Sequence, residues 1–346
     1  MASRYKERIA KIVDRAERHF GQKVVRATAP GGEGRSSYRL HFEDRSVIAT
    51  LRPNFRRTHL EAFVLERLSR ECSDTPECLG VDGELMFQSD VGGQRLNVAI
   101  AEADKARRVE LSEEAVAAIF RIHEAGRKQA LHNALPHLGQ NRDWIENLVH
   151  ATAALAEFSQ GRATGLDHAA LCTALDYPGR QFVKWDCRSG NAAVGEDNRL
   201  RWFDFEYSGA RHGAEDFAWL IGDEAWPLPP ATMERVVSEC FDPACGHERD
   251  AYLDYLALYL TFHCVQRFKL IVKEARKRGW IAKARVRKYD DAGVHPEFAV
   301  QICRVGAYFA SRRPETAPIG RDFEETGAVF LNILKDGLKH NETVTA

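Results

Sequence analysis

The feature that most constrains this chain is a pair of polar turns set between short apolar runs, from Phe182 to Glu206. Phe182-Val183-Lys184-Trp185-Asp186-Cys187-Arg188-Ser189-Gly190-Asn191 is followed by Trp202-Phe203-Asp204-Phe205-Glu206. An aspartate is thus trailed by an asparagine five positions later (191 − 186) and by a second aspartate thirteen beyond that (204 − 191). The intervening residues read as a loop, a Gly-Asn turn, a short strand, a Glu-Asp-Asn turn and an apolar strand ending at Asp204. Two hairpin strands would bring Asp186, Asn191 and Asp204 to one rim of a cleft. Phosphoryl transfer needs such a set. One carboxylate orients the attacking hydroxyl and takes its proton, while an amide oxygen and a second carboxylate hold magnesium ions bridging the nucleotide phosphates.

Turn chemistry alone favours Asp and Asn in loops, so the order of all the elements matters more than any one of them. That order resembles the catalytic segment of the aminoglycoside phosphotransferase and choline kinase-like family, relatives of the protein kinases. In that family H-G-D-x-x-x-x-N precedes D-x-[DEG], and Asp186, Asn191 and Asp204 occupy the corresponding polar positions. Gly213-Ala214-Glu215-Asp216-Phe217-Ala218 looks like the family's G-D-P-x-x-D-L-A element, with Asp216 matching its last aspartate in a structural role. The chain departs from the pattern at Lys184 and Trp185, where the family has His and Gly. The His supports the loop from behind in related kinases, and Lys184 is expected to do the same. The resemblance covers roughly residues 22 to 225 and is densest at 182–219.

The resemblance gives the amino-terminal segment a reading as well. Val24 to Thr28, the turn Pro30-Gly31-Gly32-Glu33-Gly34-Arg35-Ser36-Ser37 and the run Tyr38 to Phe42 form a hairpin whose loop can lie over phosphates. Gly32 and Gly34 permit close backbone approach, and Ser36 and Ser37 can donate to phosphate oxygens. It is equally an ordinary hairpin loop, and no Gly-Lys-Ser/Thr ends it, so it is not a Walker A loop. Ser46 to Pro53 reads as a strand ending in Arg52, at the place where kinase-like folds put their phosphate-holding cation. A helix over about His59 to Glu71 carries Glu61 near its start, resembling the glutamate that pairs with that cation, with Glu66 as a substitute. Two short strands around Asp82-Gly83 lead to Gln88, Ser89, Asp90 and Val91, where the resembled fold places the hinge that binds the base edge.

From Leu111 the chain turns helical, with Ser112 as the expected N-cap and Val116, Ile119, Phe120 and His123 as an apolar stripe. His123 is expected to be structural. Helices are also expected over Asp143 to Phe158, before Tyr177-Pro178, and over Ala251 to Arg278 and Pro296 to Ser311. The aromatics Tyr252, Tyr255, Tyr259, Phe262 and Phe268 read as core.

Composition narrows the remaining classes. In 346 residues, 44% hydrophobic content suffices for a large core, and the net charge of −1 gives no general pull toward nucleic acid or anionic membrane. Arg276 to Arg278 and Lys283 to Lys288 are local basic clusters, expected to be a solvated helix face. No apolar run approaches the ~20 residues of a membrane helix, and the start Met1 to Lys6 lacks a signal-peptide core, which points to the cytoplasm. Eight cysteines without C-x-x-C spacing read as mostly buried thiols.

The expected architecture is α+β, a protein kinase-like two-lobe fold with a small β-rich N-lobe (1–90) and a larger, mainly helical C-lobe (91–346). The expected activity is transfer of the γ-phosphate of ATP or GTP, with Mg2+, to a hydroxyl of a small molecule. Asp186 would serve as base, Asn191 and Asp204 as metal ligands, and Arg52, oriented by Glu61, as phosphate holder. A nucleotide-binding pseudokinase with a scaffolding role is the alternative, motivated by Lys184-Trp185. The H-R-D, D-F-G and A-P-E set of protein kinases is absent. A polycationic acceptor would need acidic residues near Glu215, Asp216, Asp223 and Glu224, of which Asp216 reads as structural and the others as exposed. Neither the acceptor nor the oligomeric state can be read from the chain.

Overall fold

Alternation dictates the amino-terminal sheet. In the run Ser37 to His41 every second residue is apolar, which gives a strand one dry face and one wet face; Tyr38 and Leu40 are fully buried. The structure, a computed structural model, describes residues 2–32, 35–289 and 291–344. Its first part runs α1 (Ala2–Phe20), β1 (Arg26–Thr28), β2 (Ser37–His41), β3 (Ser46–Leu51), α2 (Phe55–Leu68), β4 (Cys78–Asp82) and β5 (Leu85–Ser89). The strands form one antiparallel sheet in the order β1-β2-β3-β5-β4. Tyr38, Leu40, Val47, Ala49, Leu85 and Phe87 share a core with Ile12 and Ala16 of α1. That helix is absent from the expectations above, although Ile9, Ile12, Val13, Ala16 and Phe20 recur at helical spacing.

Helix α2 begins four residues earlier than expected. Asn54, directly after Pro53, accepts from Arg57 N at 3.0 Å and caps it, so Glu61 lies mid-helix rather than near the start.

The larger part is mainly helical. It comprises β6 (Gln94–Arg95), α3 (Leu96–Glu102), α4 (Lys105–Lys128), α5 (Leu131–Ala134), α6 (Arg142–His150), α7 (His168–Leu175), β7 (Gln181–Val183), β8 (Ala192–Val194), β9 (Leu200–Trp202) and β10 (Gly209–Arg211). The helices α8 (Ala214–Ile221), α9 (Pro230–Glu239), α10 (Arg249–Arg278), α11 (Lys283–Tyr289), α12 (Pro296–Ala310) and α13 (Ala317–Val344) complete it. Two small antiparallel sheets, β6-β8-β9 and β7-β10, carry the polar turns. Ser112 does not cap a helix. Asp104 caps α4 eight residues earlier by accepting from Arg107 N at 2.8 Å, and buried Ser112 bonds the Val109 carbonyl from within. The expected helix from Asp143 to Phe158 stops at His150 and passes into a 3-10 turn over Ala151–Ala154. Helix α10 is buried through Tyr252, Tyr255, Tyr259, Phe262 and Phe268, as core. All eight cysteines are free; Cys187, Cys264 and Cys303 are buried and the other five are half-buried. Among the described residues no helix is long and apolar enough to cross a membrane.

Candidate active site

Strand β7 delivers the first polar turn, and a buried carboxylate fixes how the chain leaves it. Asp216, fully buried at the start of α8, accepts from Lys184 N at 2.8 Å and from Trp185 N at 2.7 Å, and its Oδ2 lies 2.8 Å from His123 Nε2. A carboxylate without water needs such partners, and each is an element the loop must stand against.

Lys184 itself is 1% exposed. Its ammonium reaches the backbone carbonyls of Trp185 at 3.4 Å, Asp186 at 3.3 Å and Asp204 at 3.0 Å, and lies over the rings of Trp202 and Phe205. A point cation with three rotatable donors can serve several carbonyls at once. The two polar turns are therefore clamped together from behind.

Both turns hold unusual backbone. Trp185, Asp186 and Asp204 sit at φ of 61°, 50° and 67°, the left-handed region that costs a non-glycine residue roughly 1–2 kcal/mol. Such strain persists only where the surroundings over-determine it, and the bonds of Asp216 and Lys184 supply that constraint. Asp186 Oδ2 accepts from Asn191 Nδ2 at 3.1 Å, and the same amide donates to the Asp186 carbonyl at 3.0 Å. Arg188 lies over the other side of the carboxylate, its Nε 2.7 Å from Oδ1. Sequence reasoning missed this contact; its signal was an arginine two residues past Asp186 in a tight turn.

Arg52, at the end of β3, meets the turn at Asp204. Its guanidinium makes two 2.7 Å bonds to the Glu61 carboxylate, lies 2.7 Å from Asp204 Oδ1, and is 3.4 Å from Glu206 Oε1. Glu61, not Glu66, is the partner; it is fully buried and also accepts from Phe205 N at 2.9 Å. Burial opposes the Arg52 charge, but Glu61, Asp204 and Glu206 outweigh it and hold that guanidinium above its ordinary range. Burial pushes the Glu61 carboxyl up, with Arg52 pulling against it. Glu206 is also raised by burial, with Arg52 again opposing and Asp204 adding to the rise.

These residues border a cleft of about 890 Å3. Ser36, Ser37, Arg52, Gln88, Ser89, Asp90, Val91, Asn191 and Asp204 all line it, whereas Glu61 stands behind Arg52. Asp186 is joined to the wall through Asn191. Gly32 is not on the wall: its φ of 95° and its bond to the Ala29 carbonyl make it part of the turn, and Gly31 faces the cleft instead. Gly34 lies outside the described residues. Ser37 shares a 3.2 Å hydroxyl contact with Thr50. Asp90, one residue past β5, holds Arg39 at 2.6 Å and Ser46 at 2.6 Å with its carboxylate.

Asp204 Oδ1 is buried and takes no directed hydrogen bond, since the Arg52 contact lacks hydrogen-bond geometry. A carboxylate oxygen in ion contact with Arg52, on the same cleft wall as an amide whose nitrogen is already engaged, supplies hard oxygen donors, which fit Mg2+ shared with a phosphate ligand.

Three acids expected on the surface are not there. Asp223 is buried and accepts from Ser189, Glu224 is gripped by Arg267 at 2.7 and 2.9 Å, and Glu215 is fully buried against Arg211 and Tyr255. Their burial follows from these partners, which sequence spacing does not reveal. Of the basic clusters, Arg276, Lys277, Arg278 and Arg285 are exposed as expected, while Arg287 and Lys288 also line the cleft.

No family model matches the sequence, and no curated protein matches it. Solved structures do. An aminoglycoside 2'-phosphotransferase in complex with GDP superposes with a TM-score of 0.55 at 14% identity, covering 83% of this chain and 97% of that one. A choline/ethanolamine kinase family protein from Mesorhizobium loti gives 0.52 at 14% identity over 84% and 90%. A spectinomycin phosphotransferase in complex with ADP and spectinomycin gives 0.52 at 11% identity over 91% and 98%. The chain therefore has the two-lobe, protein kinase-like α+β fold, a small antiparallel sheet lobe on a larger helical part. Within that class its form is the one shared by aminoglycoside phosphotransferases and choline/ethanolamine kinase-like proteins.

Proposed function

We propose that this protein is a small-molecule phosphotransferase that moves the γ-phosphoryl group of ATP or GTP onto a hydroxyl acceptor. One observation carries the reading. Arg52 and Asp204, 2.7 Å apart, line one cleft with Asn191, whose amide donates to Asp186 Oδ2 at 3.1 Å just behind that wall. The fold supports it, because neighbours of this form are complexes with GDP or with ADP.

Asp186 would orient the acceptor hydroxyl and take its proton, as a carboxylate fixed on one side by an amide donor can do. Arg52, held rigid by Glu61, would face the phosphates. Asn191 and Asp204 would hold Mg2+, which supplies charge neutralisation on the transferring group. The Gln88–Val91 backbone would meet the base edge, and the Gly31 turn with Ser36 and Ser37 would lie over the phosphates. The chain would divide near residue 90 into a nucleotide lobe and a catalytic lobe.

Trp185 of the first polar turn packs among aromatic residues. Trp185 stands 6.1 Å from both Trp144 and Trp219 and 6.3 Å from Tyr259, while the Arg211 guanidinium lies over Trp144 and Tyr259. With Glu215, Asp216, Asp223 and Glu224 committed to neighbours, a polycationic aminoglycoside finds no free carboxylate among those four.

A second reading, a nucleotide-binding pseudokinase that acts as a scaffold, is favoured by the Arg188 contact on Asp186 and by Trp185 in left-handed backbone. Screening hydroxyl compounds for acceptor-stimulated ADP or GDP release separates the two. Release stimulated by one acceptor class supports the transferase. MgATP or MgGTP binding without turnover across a broad panel supports the scaffold.

A further inference from the structure

We propose that α11 closes the outer side of the nucleotide cleft and that Arg287, with Lys288 beside it, binds the nucleotide's phosphates. The inference rests on the phosphotransferase reading, since it assigns further residues to the same ligand.

Residues 279–289 leave α10 and form α11, and residues 291–295 lead into α12. Its base is closed by Arg278, whose guanidinium makes two 2.9 Å bonds to Asp291, and by Ile281 N donating to the Val294 carbonyl at 2.8 Å. Gly293 N donates to Glu224 at 2.7 Å, which anchors the return strand to α10 through Arg267. From that base α11 leans onto α3, where Asn97 Nδ2 donates to the Arg287 carbonyl at 2.8 Å and Val286 is buried. Ala284, Arg287 and Lys288 are thereby placed on the cleft wall. Arg287 Nε is a buried donor with no hydrogen-bond partner among the described residues. Its guanidinium lies 5.8 Å over the Phe298 ring, a contact that spends no donor.

The balance of charge says which ligand this wall suits. At the inner end one guanidinium, Arg52, is surrounded by Glu61, Asp204 and Glu206. That end is negative and favours a metal ion over bare phosphate oxygens. Arg39 is taken up by Asp90. The cations that line the rest of the cleft are Arg35, Arg95, Arg287 and Lys288. Position then separates phosphates from base. Arg35 follows the glycine-rich turn, and it lines the same cleft as Pro30 and Gly31 of that turn and as Arg287 and Lys288 of α11. The wall thus shares its cleft with the turn whose loop would lie over the phosphates. A guanidinium there can meet phosphate oxygens with paired donors, which an ammonium cannot do in fixed geometry.

Calorimetric titration of the intact protein with adenosine, AMP, ADP and ATP in the presence of Mg2+ tests the assignment, using wild type, Arg287→Ala, Arg287→Lys and Lys288→Ala. The guanosine series replaces it if the protein prefers GTP. The expected result is a loss in Arg287→Ala that grows with phosphate count, reaching about tenfold for the triphosphate, near 1.4 kcal/mol, with nucleoside affinity unchanged. Arg287→Lys should recover part of it, and Lys288→Ala should show a smaller loss of the same grading. A uniform loss from nucleoside to triphosphate overturns the assignment, as does unchanged nucleotide affinity in both Ala variants. A change only in acceptor saturation also overturns it and moves these cations to the acceptor. Wild type that binds no nucleotide of either series removes the phosphotransferase reading itself, a different failure from the variants' alone. Arg287→Lys keeps charge and stem, so it remains informative if Arg287→Ala fails to fold.

Discussion

The ammonium of Lys184 lies 3.0 Å from the backbone carbonyl oxygen of Asp204 and 3.3 Å from that of Asp186. One buried side chain thus ties the loop of the candidate base to the loop of the candidate metal ligand. Lys184→His should keep turnover within about tenfold, roughly 1.4 kcal/mol of barrier, because an imidazole can still support the loop. Lys184→Met fills the volume without a donor and leaves buried carbonyls unpaired, at a cost of about 1–3 kcal/mol for each group left unsatisfied. Urea titration and steady-state rates on both variants check this. A rate loss of several orders of magnitude in Lys184→His with unchanged stability would place Lys184 in the chemistry.

Asp216 supports the same loop from the other side. Replacing it with Ala strands Lys184 N, Trp185 N and His123, and should destabilise the protein by about 3 kcal/mol or more. Asp216→Asn keeps an acceptor and should cost less. Equal midpoints for Asp216→Ala and wild type in urea would contradict the role given to this carboxylate.

Much of this site was legible from spacing, because turn residues and short apolar strands fix local geometry. Asp186, Asn191, Arg52 and Glu61 were singled out by order; Arg52 and Asn191 line one cleft, and Glu61 and Asp186 hydrogen-bond to them from behind its wall. What stayed hidden depends on contacts across long separations. Glu224 and Arg267 are 43 residues apart, and Asn97 and the Arg287 carbonyl are 190 apart. No local pattern marks Glu224 as buried or Arg287 as cleft-facing. The start of α2 was misjudged for a local reason, a cap at Asn54 passed over in favour of the next apolar periodicity.

Acid stability should report two buried histidines. Burial holds His263 down at about 3 and His212 at about 2, both below the ordinary 6.5. In the native state they stay neutral, so below pH 6.5 the unfolded chain binds more protons. Their contribution is full above pH 6.5 and is lost as pH falls from there toward 3. Well below 6.5 each is expected to cost about 1.4 kcal/mol per pH unit. Thermal melts between pH 7 and pH 5 should show a falling Tm, and His263→Gln should flatten the fall. An identical slope in that variant would exclude His263 as a source.

Asp204→Ala removes the carboxylate whose Oδ1 lacks a directed hydrogen bond. Nucleotide affinity in wild type should rise on adding Mg2+, and the variant should lose roughly tenfold or more of that gain, because a charged oxygen ligand to a hard cation is gone. Titration with and without Mg2+ checks it. An undiminished Mg2+ effect would take Asp204 out of the metal site.

The most direct test of phosphoryl transfer is Asp186→Asn, assayed for equilibrium nucleotide affinity and for acceptor-dependent ADP or GDP release under the same conditions. The substitution keeps the shape and one acceptor oxygen, for Asn191 or for Arg188, while removing the proton acceptor. The account predicts nucleotide affinity within a few-fold of wild type and turnover lower by at least about a hundredfold, the scale of a lost general base. Turnover near that of wild type in a folded Asp186→Asn protein would contradict it.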